Sequence, residues 1–596
     1  MVPDALDVMA VYGINSMVRD ALDVMAKFTV DHKDHRHIWS LHTSVSASAS
    51  DKVISLKSIT MDAFKYFGEL YGCKMPVDDT KNIKAIVQDV ASNKAEKSDG
   101  DQLPNFSPTT LEELIEVMDD LRKNKKRMKA TSTNHSKEWC NIIKSEMEVD
   151  VNVIDFKDLR KKIEMENATT LKDNEDVKKS YCCYEAGATI RAIQNDLWPC
   201  TERKSLNGKI LLNQTGCVDL SIGGTIATAA HGNGLDKPII ADMVRSFRLI
   251  TVQADCIKQY QLEPTIGITN KDDFSKNFKG VELIQDDNYF YAALVNIGSM
   301  GIVYSYILEI EDAFYLKENR TMMSWKDAKG QLKDIFDDEG NSLHSFELFV
   351  CPYPPIDNKK EGNLDDKIQV VICKLEKSEG PPEGTRPNLH FVQPEWIRPA
   401  FTTACDKNPE ILPLMICLMM NATQCKDVVM DACEALDPLS GLAVSGVVRV
   451  SECAMKVESA DDMIRKVDYV IEIFQCIRKK KPSQLATTPF AVRFSKESKA
   501  FMAMQYNRPS MMIICNILKG TPDAEATLKT FRDSLMNKYG GRPHWGMIQD
   551  MDKRKLEKLY GKLAIEKFKD ALKKFDPKGF CSNKFTETVF CHVKKK

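Results

Sequence analysis

The chain has 596 residues, of which 43% are hydrophobic and 28% charged, as is typical of a globular protein with two or three domains. Its 83 basic and 85 acidic side chains leave a net charge of −2, which gives no electrostatic basis for a nucleic-acid partner. None of its 18 cysteines forms a Cys-x-x-Cys pair, so we predict buried free thiols in a reducing compartment rather than structural zinc.

Residues 1–100 are an extension to which we assign no fold. Asp4, Asp7 and Arg19 interrupt any apolar leader, and the longest apolar window, 411–420, is about half the length that spans a bilayer. We therefore expect a cytoplasmic protein without a transmembrane segment. Four histidines lie close together, but their spacing matches no zinc pattern and we predict no metal site there: His32, His35, His37 and His42.

Regular structure is first predicted after Pro108. Thr110 and Glu113 form a capping box at the start of a helix, in which apolar residues recur at helical spacing up to Leu121. A strand is predicted at 128–130, and it leads into a short polar loop at 131–136.

Strands and helices then alternate, so residues 104–313 are predicted to form one α/β or α+β domain. The predicted strands are 181–186, 243–252 and 302–310, and the predicted helices are 188–197 and 288–296.

Residues 320–540 have a different pattern, which predicts a second domain. It contains strands at 346–350 and 368–375 and longer helices at 428–436 and 460–474. An amphipathic helix is then predicted at 553–575, and the turn sequence Asp576-Pro-Lys-Gly579 ends it.

The stretch 219–234, Asp-Leu-Ser-Ile-Gly-Gly-Thr-Ile-Ala-Thr-Ala-Ala-His-Gly-Asn-Gly, is rich in glycine and small residues. Such residues let the backbone approach a ligand closely. The polar side chains are too short to hold a ligand alone, so we predict that main-chain N–H groups bind a phosphate here.

Several motifs occur in an order that resembles the flavin domain of the vanillyl-alcohol oxidase superfamily. They are Pro108-Thr-Thr, Asn134-His-Ser136, Ile222-Gly-Gly-Thr-Ile-Ala-Thr-Ala-Ala-His-Gly-Asn-Gly234, Met243-Val-Arg-Ser-Phe-Arg-Leu249 and Ile297-Gly-Ser-Met-Gly-Ile302. Two C-terminal motifs, Gly541-Arg-Pro-His-Trp545 and Asp576-Pro-Lys-Gly-Phe-Cys-Ser-Asn583, resemble the aldonolactone and alditol oxidase branch. A weaker similarity links 346–353 to flavin-linked sterol oxidases.

The resemblance implies an α+β fold with a two-subdomain FAD-binding domain of the PCMH type. A cap domain, built on a mixed or antiparallel sheet flanked by helices, completes it. The implied boundaries are 101–315 for the FAD domain and 316–545 for the cap, and 546–596 returns to the FAD domain. No Gly-x-Gly-x-x-Gly or Walker motif supports a Rossmann dehydrogenase or a nucleotide hydrolase.

The resemblance also implies FAD, with its pyrophosphate on two loops of small residues. His135 matches the position that carries a covalent flavin in many members, although Ser132-Thr133-Asn134 departs from the usual Gly-x-Gly. His231 is implied to hold the glycine-rich loop near the flavin. The implied cofactor-binding residues are Thr131, Ser132, Thr133, Asn134, His135, Ser136, Ser221, Gly223, Gly224, Ala227, His231, Gly232, Gly301, Ile302 and Asn583.

On the substrate side, the family's Glu-x-Arg and His-Trp-x-Lys segments correspond to residues 490–493 and 544–547. Arg493 and His544 are present, and we predict that Arg493 stabilises reduced flavin and that His544 accepts a proton. Ala491 and Met547 replace the family's Glu and Lys. Loss of this charge pair predicts a less polar site.

The resulting function is transfer of a hydride from a CH–OH group to flavin N5, with O2 as the expected acceptor. The donor is a small molecule, either an alcohol, polyol or lactone or, given the less polar site, a sterol-like or terpenoid-like alcohol. The alternative is a flavin-binding protein whose activity was lost or redirected when Ala491 and Met547 arose. The oligomeric state is not predicted.

Overall fold

A computed structural model of the chain describes residues 105–133, 151–172, 180–337, 343–354, 363–387, 409, 412–438, 448–482 and 484–590. The chain divides into two compact units, 1–92 and 93–596, and all the described residues lie in the second. The N-terminal extension and its histidine cluster lie outside the described residues.

Eighteen strands in the described ranges form three sheets. They are β1 (Asn105–Phe106), β2 (Arg127–Thr131), β3 (Val151–Asp155), β4 (Lys162–Ile163), β5 (Tyr181–Glu185), β6 (Lys209–Leu211), β7 (Val244–Val252), β8 (Ile257–Glu263), β9 (Val281–Gln285), β10 (Ile302–Asp312), β11 (Tyr315–Ser324), β12 (Leu343–Val350), β13 (Gln369–Ser378), β14 (Cys425–Asp431), β15 (Val448–Lys456), β16 (Phe490–Ser495), β17 (Ser510–Leu518) and β18 (Arg542–Pro543).

Fifteen α-helices lie between these strands in the described ranges. They are α1 (Leu111–Lys123), α2 (Met165–Ala168), α3 (Ile190–Leu197), α4 (Ile222–Ala227), α5 (Lys271–Asn277), α6 (Asp287–Leu294), α7 (Trp325–Asp337), α8 (Leu364–Lys367), α9 (Leu412–Asn421), α10 (Ala432–Ala435), α11 (Ala460–Lys480), α12 (Ala524–Tyr539), α13 (Lys553–Tyr560), α14 (Lys562–Phe575) and α15 (Lys584–Phe590).

The three sheets differ in strand direction. The first is parallel, in the order β1-β3-β2. The second has seven strands in the order β4-β5-β10-β7-β8-β9, with β6 on β10, and it is antiparallel except for the pair β8–β9. The third has the order β14-β11-β13-β12-β16-β17-β15-β18, and its pairings are antiparallel. The predicted α+β class, with an antiparallel sheet in its C-terminal half, is confirmed.

The change from the second sheet to the third occurs within three residues, because β10 ends at Asp312 and β11 begins at Tyr315. The C-terminal segment returns to the first sheet, where the Met128 amide of β2 donates to the Phe580 carbonyl over 2.9 Å. The domain division itself stays a prediction.

Local sequence accounts for most of these elements. Thr110 caps α1 by accepting a hydrogen bond from the Glu113 amide, and Leu114, Met118 and Leu121 form its buried stripe. Adjacent residues of β5 point to opposite faces. Cys182 therefore packs in the main core, and Cys183 lies in a separate small cluster with Ala168 and Ile307. All the cysteines in the described ranges are free thiols, and most are buried.

Two predicted helices are wrong in part. Residues 428–436 were predicted as one helix, but β14 continues to Asp431, whose side chain then caps the one-turn helix α10. Residues 553–575 form two helices, because Gly561 takes φ 78° and ψ 161° and separates α13 from α14. Among the described residues, no helix is both long and apolar enough to cross a bilayer.

Candidate active site

Arg493 and Glu452 lie on the same face of the eight-stranded sheet. Across β12, β16 and β17, the register pairs Phe349 with Ala491 and Ala491 with Ile514, and Ile514 pairs in turn with Glu452 of β15. Residues paired directly across antiparallel strands share a face. Arg493 lies two residues along β16 from Ala491 and therefore shares that face as well.

Arg493 forms a buried ion pair with Glu347 of β12. Its Nε donates to Glu347 Oε2 over 2.7 Å, and both side chains are about nine-tenths buried. Burial disfavours the charged guanidinium, but the Glu347 carboxylate holds the pKa of Arg493 above its ordinary value. The guanidinium packs against the backbone of Gly216, where a Cβ atom would lie only 2.7 Å from Nη1. The Arg493 guanidinium is therefore a positive charge held in a fixed position.

A pocket of about 380 Å³, including the part that opens to solvent, lies beside Arg493. Carboxylate, guanidinium, amide and hydroxyl groups line part of it, and apolar side chains such as Leu375, Leu436 and Pro438 line the rest. Its lining residues are Gln214, Gly216, Gly232, Asn233, Glu318, Ser345, Glu347, Cys373, Leu375, Ala435, Leu436, Pro438 and Arg493. The less polar site predicted from Ala491 and Met547 stays a prediction.

His231 follows α4 and is buried next to this pocket. Its Nδ1 lies 2.8 Å from the Gly232 carbonyl oxygen, which only accepts hydrogen bonds, so Nδ1 carries a proton. Its Nε2 lies 2.8 Å from Glu452 Oε1. One proton must therefore occupy the space between the second ring nitrogen and the carboxylate.

Glu452 is 1% exposed and is a charged residue in the middle of a buried strand. Burial alone would raise its pKa, but the charge and hydrogen bond of His231 hold the pKa below its ordinary value. His544 and Arg493 act in the same direction. Its second oxygen, Oε2, is buried and makes no hydrogen bond within the part of the chain that the structure describes.

His544 lies on the other side of Glu452, and its backbone amide donates to the Glu452 carbonyl over 3.2 Å. Its Nδ1 accepts a hydrogen bond from the Gly546 amide over 2.9 Å. Burial lowers the pKa of His544 to about 4, so the ring is neutral at pH 7 and its proton lies on Nε2. This arrangement disfavours the predicted role of His544 as a proton acceptor.

Met547, at the position of the family's Lys, is half-buried and packs against the main core. Ala491 is buried in β16. Neither side chain offers a charge, as the sequence indicated.

Three segments converge where the resemblance implies the cofactor. Ser132 follows β2, and its Oγ is buried without a hydrogen-bond partner among the described residues. The Ile297 amide donates to the Ala227 carbonyl over 3.1 Å and joins the two glycine-rich segments. A Cβ atom on Gly298 would lie 2.8 Å from Lys129 Cε of β2. The small residues and the orphaned hydroxyl fit a bound cofactor that needs close backbone approach.

Some predicted cofactor-binding residues have another local role. The Ile222 and Gly223 amides already donate to the Ala188 and Ala186 carbonyls, so they are not available to a phosphate. Gly223 packs so closely that a Cβ atom would lie 2.9 Å from the Ala186 oxygen. For these two amides the predicted phosphate contact is wrong, because the start of α4 is anchored to the strand and turn before α3.

The remaining predicted residues fall into three groups. Ile302 is a core residue at the start of β10, and Asn583 caps the first turn of α15 through Thr586. Gly301 takes φ 128° and approaches the Ile250 carbonyl, while Gly232 lies against Asn213 and Gln214. The residues left are Thr131 and Thr133 at the end of β2, Ser221 at the N-cap of α4, and Gly224 within α4. Asn134, His135 and Ser136 lie outside the described residues.

Sequence reasoning missed three carboxylates of this face: Glu318, Glu347 and Glu452. Glu347 stands within the otherwise apolar segment Phe346-Glu-Leu-Phe-Val350, whereas Glu318 and Glu452 stand in strands that contain other polar residues. A charged residue in a buried strand is costly unless it is paired or functional. That cost was the available signal at Glu347, which lies within the 346–353 motif.

Comparison with known proteins finds relatives that cover most of the chain. Residues 369–589 match the sequence profile of the D-arabinono-1,4-lactone oxidase family. The chain is 23% identical over 488 residues to L-gulono-1,4-lactone dehydrogenase of Mycobacterium tuberculosis, with 81% of this chain and 94% of that protein covered. It is 22% identical over 493 residues to L-gulonolactone oxidase of Bos taurus, with the same coverage.

Among solved structures, cholesterol oxidase from B. sterolicum has the same fold, with a TM-score of 0.61 and 13% identity over 82% of this chain and 94% of that one. Fold and relatives define the class of protein: an FAD-linked oxidoreductase that acts on CH–OH donors. Within that class, the predicted resemblance to the vanillyl-alcohol oxidase superfamily, in its aldonolactone oxidase branch, is confirmed.

Proposed function

We propose that this protein oxidises a CH–OH group of a small polyhydroxylated donor, such as an aldonolactone or a polyol, with FAD as its cofactor. The observation that carries the proposal is the pocket beside the Arg493–Glu347 pair, at which three charged side chains lie. The names of its relatives, a gulonolactone oxidase and a gulonolactone dehydrogenase, support the same substrate class.

The pocket favours a donor with many hydroxyl groups over a sterol-like alcohol. Glu318, Glu347 and Arg493 place charges at the pocket. An apolar donor would remove the exposed parts of these charged groups from water, which costs free energy. Hydroxyl groups of a donor form hydrogen bonds with them instead.

FAD, when bound, supplies an acceptor for the hydride that leaves the donor carbon. The residues that would hold it are those of the 131–133 loop, the end of α4 and the turn at 297–301. Arg493 would supply a buried positive charge to the site where negative charge develops, because Glu347 keeps the guanidinium charged and fixed. The neutral His544 would act as a hydrogen-bond donor through Nε2.

A covalent bond between His135 and the flavin is a further part of the proposal. Its support is the position of His135 in the resemblance and the loop of small residues that begins at Ser132. Protein precipitated with acid should remain yellow, and His135→Ala should release the colour. Colourless wild-type precipitate would show that the flavin is not covalently bound.

The electron acceptor is assigned by experiment, since the named relatives include both an oxidase and a dehydrogenase. We propose O2. Flavin reduced by a donor without oxygen should regain its colour in air within the time of a turnover and yield H2O2. Reoxidation by an artificial dye alone would assign the protein as a dehydrogenase.

The test of the function is anaerobic bleaching of the flavin by a panel of aldonolactones, polyols, sterols and terpenoid alcohols. Bleaching by a lactone or polyol is the expected result. The alternative of lost or redirected activity receives no support from the comparisons, and it predicts that no member of the panel bleaches the flavin.

A further inference from the structure

We infer that Glu452, paired with His231, accepts the hydroxyl proton of the donor during oxidation. The inference rests on the proposed function and names a catalytic base that neither the motifs nor the comparisons assign. It replaces the role predicted for His544.

The first support is the free oxygen of Glu452. Its Oε1 is held by His231 Nε2 at 2.8 Å, whereas Oε2 is buried and has no partner in the described chain. A buried carboxylate oxygen without a hydrogen bond is costly, and functional sites are where such groups are retained. A donor hydroxyl would give Oε2 its partner.

The second support is the position of Glu452 on the pocket face. It lies in the cross-strand row of Ala491, two strands away, and shares that face with Arg493. Two histidines that contact Glu452 connect it to the site. His231 precedes Gly232 and Asn233, which line the pocket, and His544 donates its amide to the Glu452 carbonyl.

The third support is the positions of the protons on the ring nitrogens of the two histidines. Nδ1 of His544 is occupied as an acceptor by the Gly546 amide, so its other ring nitrogen, Nε2, is a donor. His231 donates through Nδ1 to a carbonyl, and its Nε2 proton stabilises the Glu452 carboxylate. Among His231, His544 and Glu452, the Glu452 carboxylate is the group with a lone pair that can accept a proton.

Oxidation of the donor breaks two bonds. The donor O–H bond breaks and its proton moves to Glu452 Oε2, while the C–H bond breaks and its electron pair leaves with hydrogen as a hydride to the bound flavin. The donor becomes a carbonyl compound, and Glu452 becomes a neutral acid that still accepts from His231. The charged and titratable groups that face Glu452 during this step are His231, His544 and Arg493.

The test compares wild type, Glu452→Gln and Asp242→Asn, all loaded with FAD. Asp242 is the matched control, because its Oδ2 is also buried without a partner among the described residues, but its Oδ1 contacts Ser498, away from the pocket lining. Single-turnover bleaching of the flavin should slow by roughly 10²- to 10⁴-fold in Glu452→Gln and stay near wild type in Asp242→Asn. Formate should partly restore bleaching in Glu452→Ala, where a cavity replaces the carboxylate.

A second readout needs no turnover. In ¹⁵N-histidine NMR spectra of the resting protein, His231, assigned with His231→Asn, should have both nitrogens protonated in wild type and in Asp242→Asn. It should be a neutral ring in Glu452→Gln. If Glu452→Gln does not fold, Glu452→Asp provides the comparison, because its shorter side chain withdraws the carboxylate.

Bleaching of Glu452→Gln within about twofold of wild type, or an unchanged His231 spectrum, would overturn the assignment while leaving the proposed function intact. Wild type that no donor bleaches would instead remove the proposed function, and the assignment with it.

Discussion

Glu452 and Ala491 lie on the same face of the eight-stranded sheet, in one cross-strand row, with Ile514 between them. Two strand spacings separate them, which is about 10 Å. The family's carboxylate is absent from position 491, yet the same row carries another carboxylate nearby. The replacement of Glu by Ala at position 491 therefore does not leave this face without a carboxylate.

The Arg493–Glu347 pair allows a prediction about stability. Because both side chains are about nine-tenths buried, removing one leaves an uncompensated charge. We expect Glu347→Leu to lower the free energy of unfolding by about 3–5 kcal/mol. The double variant Glu347→Leu with Arg493→Met should cost less than the sum of the two single variants. Urea unfolding of all four proteins checks this, and additive losses would contradict it.

Gly216 fixes the position of the Arg493 guanidinium. Gly216→Ala would place a Cβ atom 2.7 Å from Nη1 and force the charge to move. We expect flavin reduction to slow on the order of 10²-fold. Gly330→Ala is the control, since nothing lies within 4 Å of its Cβ position in α7. That variant should keep its activity and gain up to about 1 kcal/mol of stability. Equal behaviour of the two variants would argue against this role for Gly216.

Ser132 links stability to cofactor binding. Its Oγ is buried and has no partner in the part of the chain that the structure describes, and such a hydroxyl costs free energy until a ligand satisfies it. Ser132→Ala should therefore leave the unfolding free energy of the apoprotein unchanged or higher, while it weakens FAD binding by about threefold to tenfold. Fluorescence titration with FAD measures the affinity, and Ser275→Ala, at an exposed position in α5, is the control. Unchanged FAD affinity in Ser132→Ala would place the cofactor elsewhere.

Asp242 makes stability depend on pH. Burial raises its pKa from 3.8 to about 7, so the folded protein holds this proton more tightly than the unfolded chain does. Its contribution to stability is complete below pH 4 and is lost as the pH rises to about 7. Asp242→Asn should flatten the fall in melting temperature over that interval. Asp576, whose burial also raises its pKa to about 7, leaves a residual slope in the variant. An unchanged slope would show that Asp242 ionises normally.

Periodicity predicted most elements of the fold because apolar spacing records which face is buried. It failed at Asp431, which ends a strand and caps a helix, since one residue served two elements. It also failed at Gly561, where a single glycine separates two helices that share one apolar pattern.

The candidate site was less predictable than the fold. Arg493 and His231 were found because motifs carry them. Glu452 was missed, because its meaning depends on strand register and on a histidine more than two hundred positions away in sequence. The tautomer of His544 depends on the Gly546 amide, and this contact appears only in three dimensions.

The most direct measurement is anaerobic bleaching of the FAD-loaded protein by aldonolactones and polyols, with sterols and terpenoid alcohols beside them. The account predicts that a lactone or polyol reduces the flavin and that the apolar alcohols do not, because charged side chains lie at the pocket. Flavin that no donor reduces, or that only the apolar alcohols reduce, would contradict it.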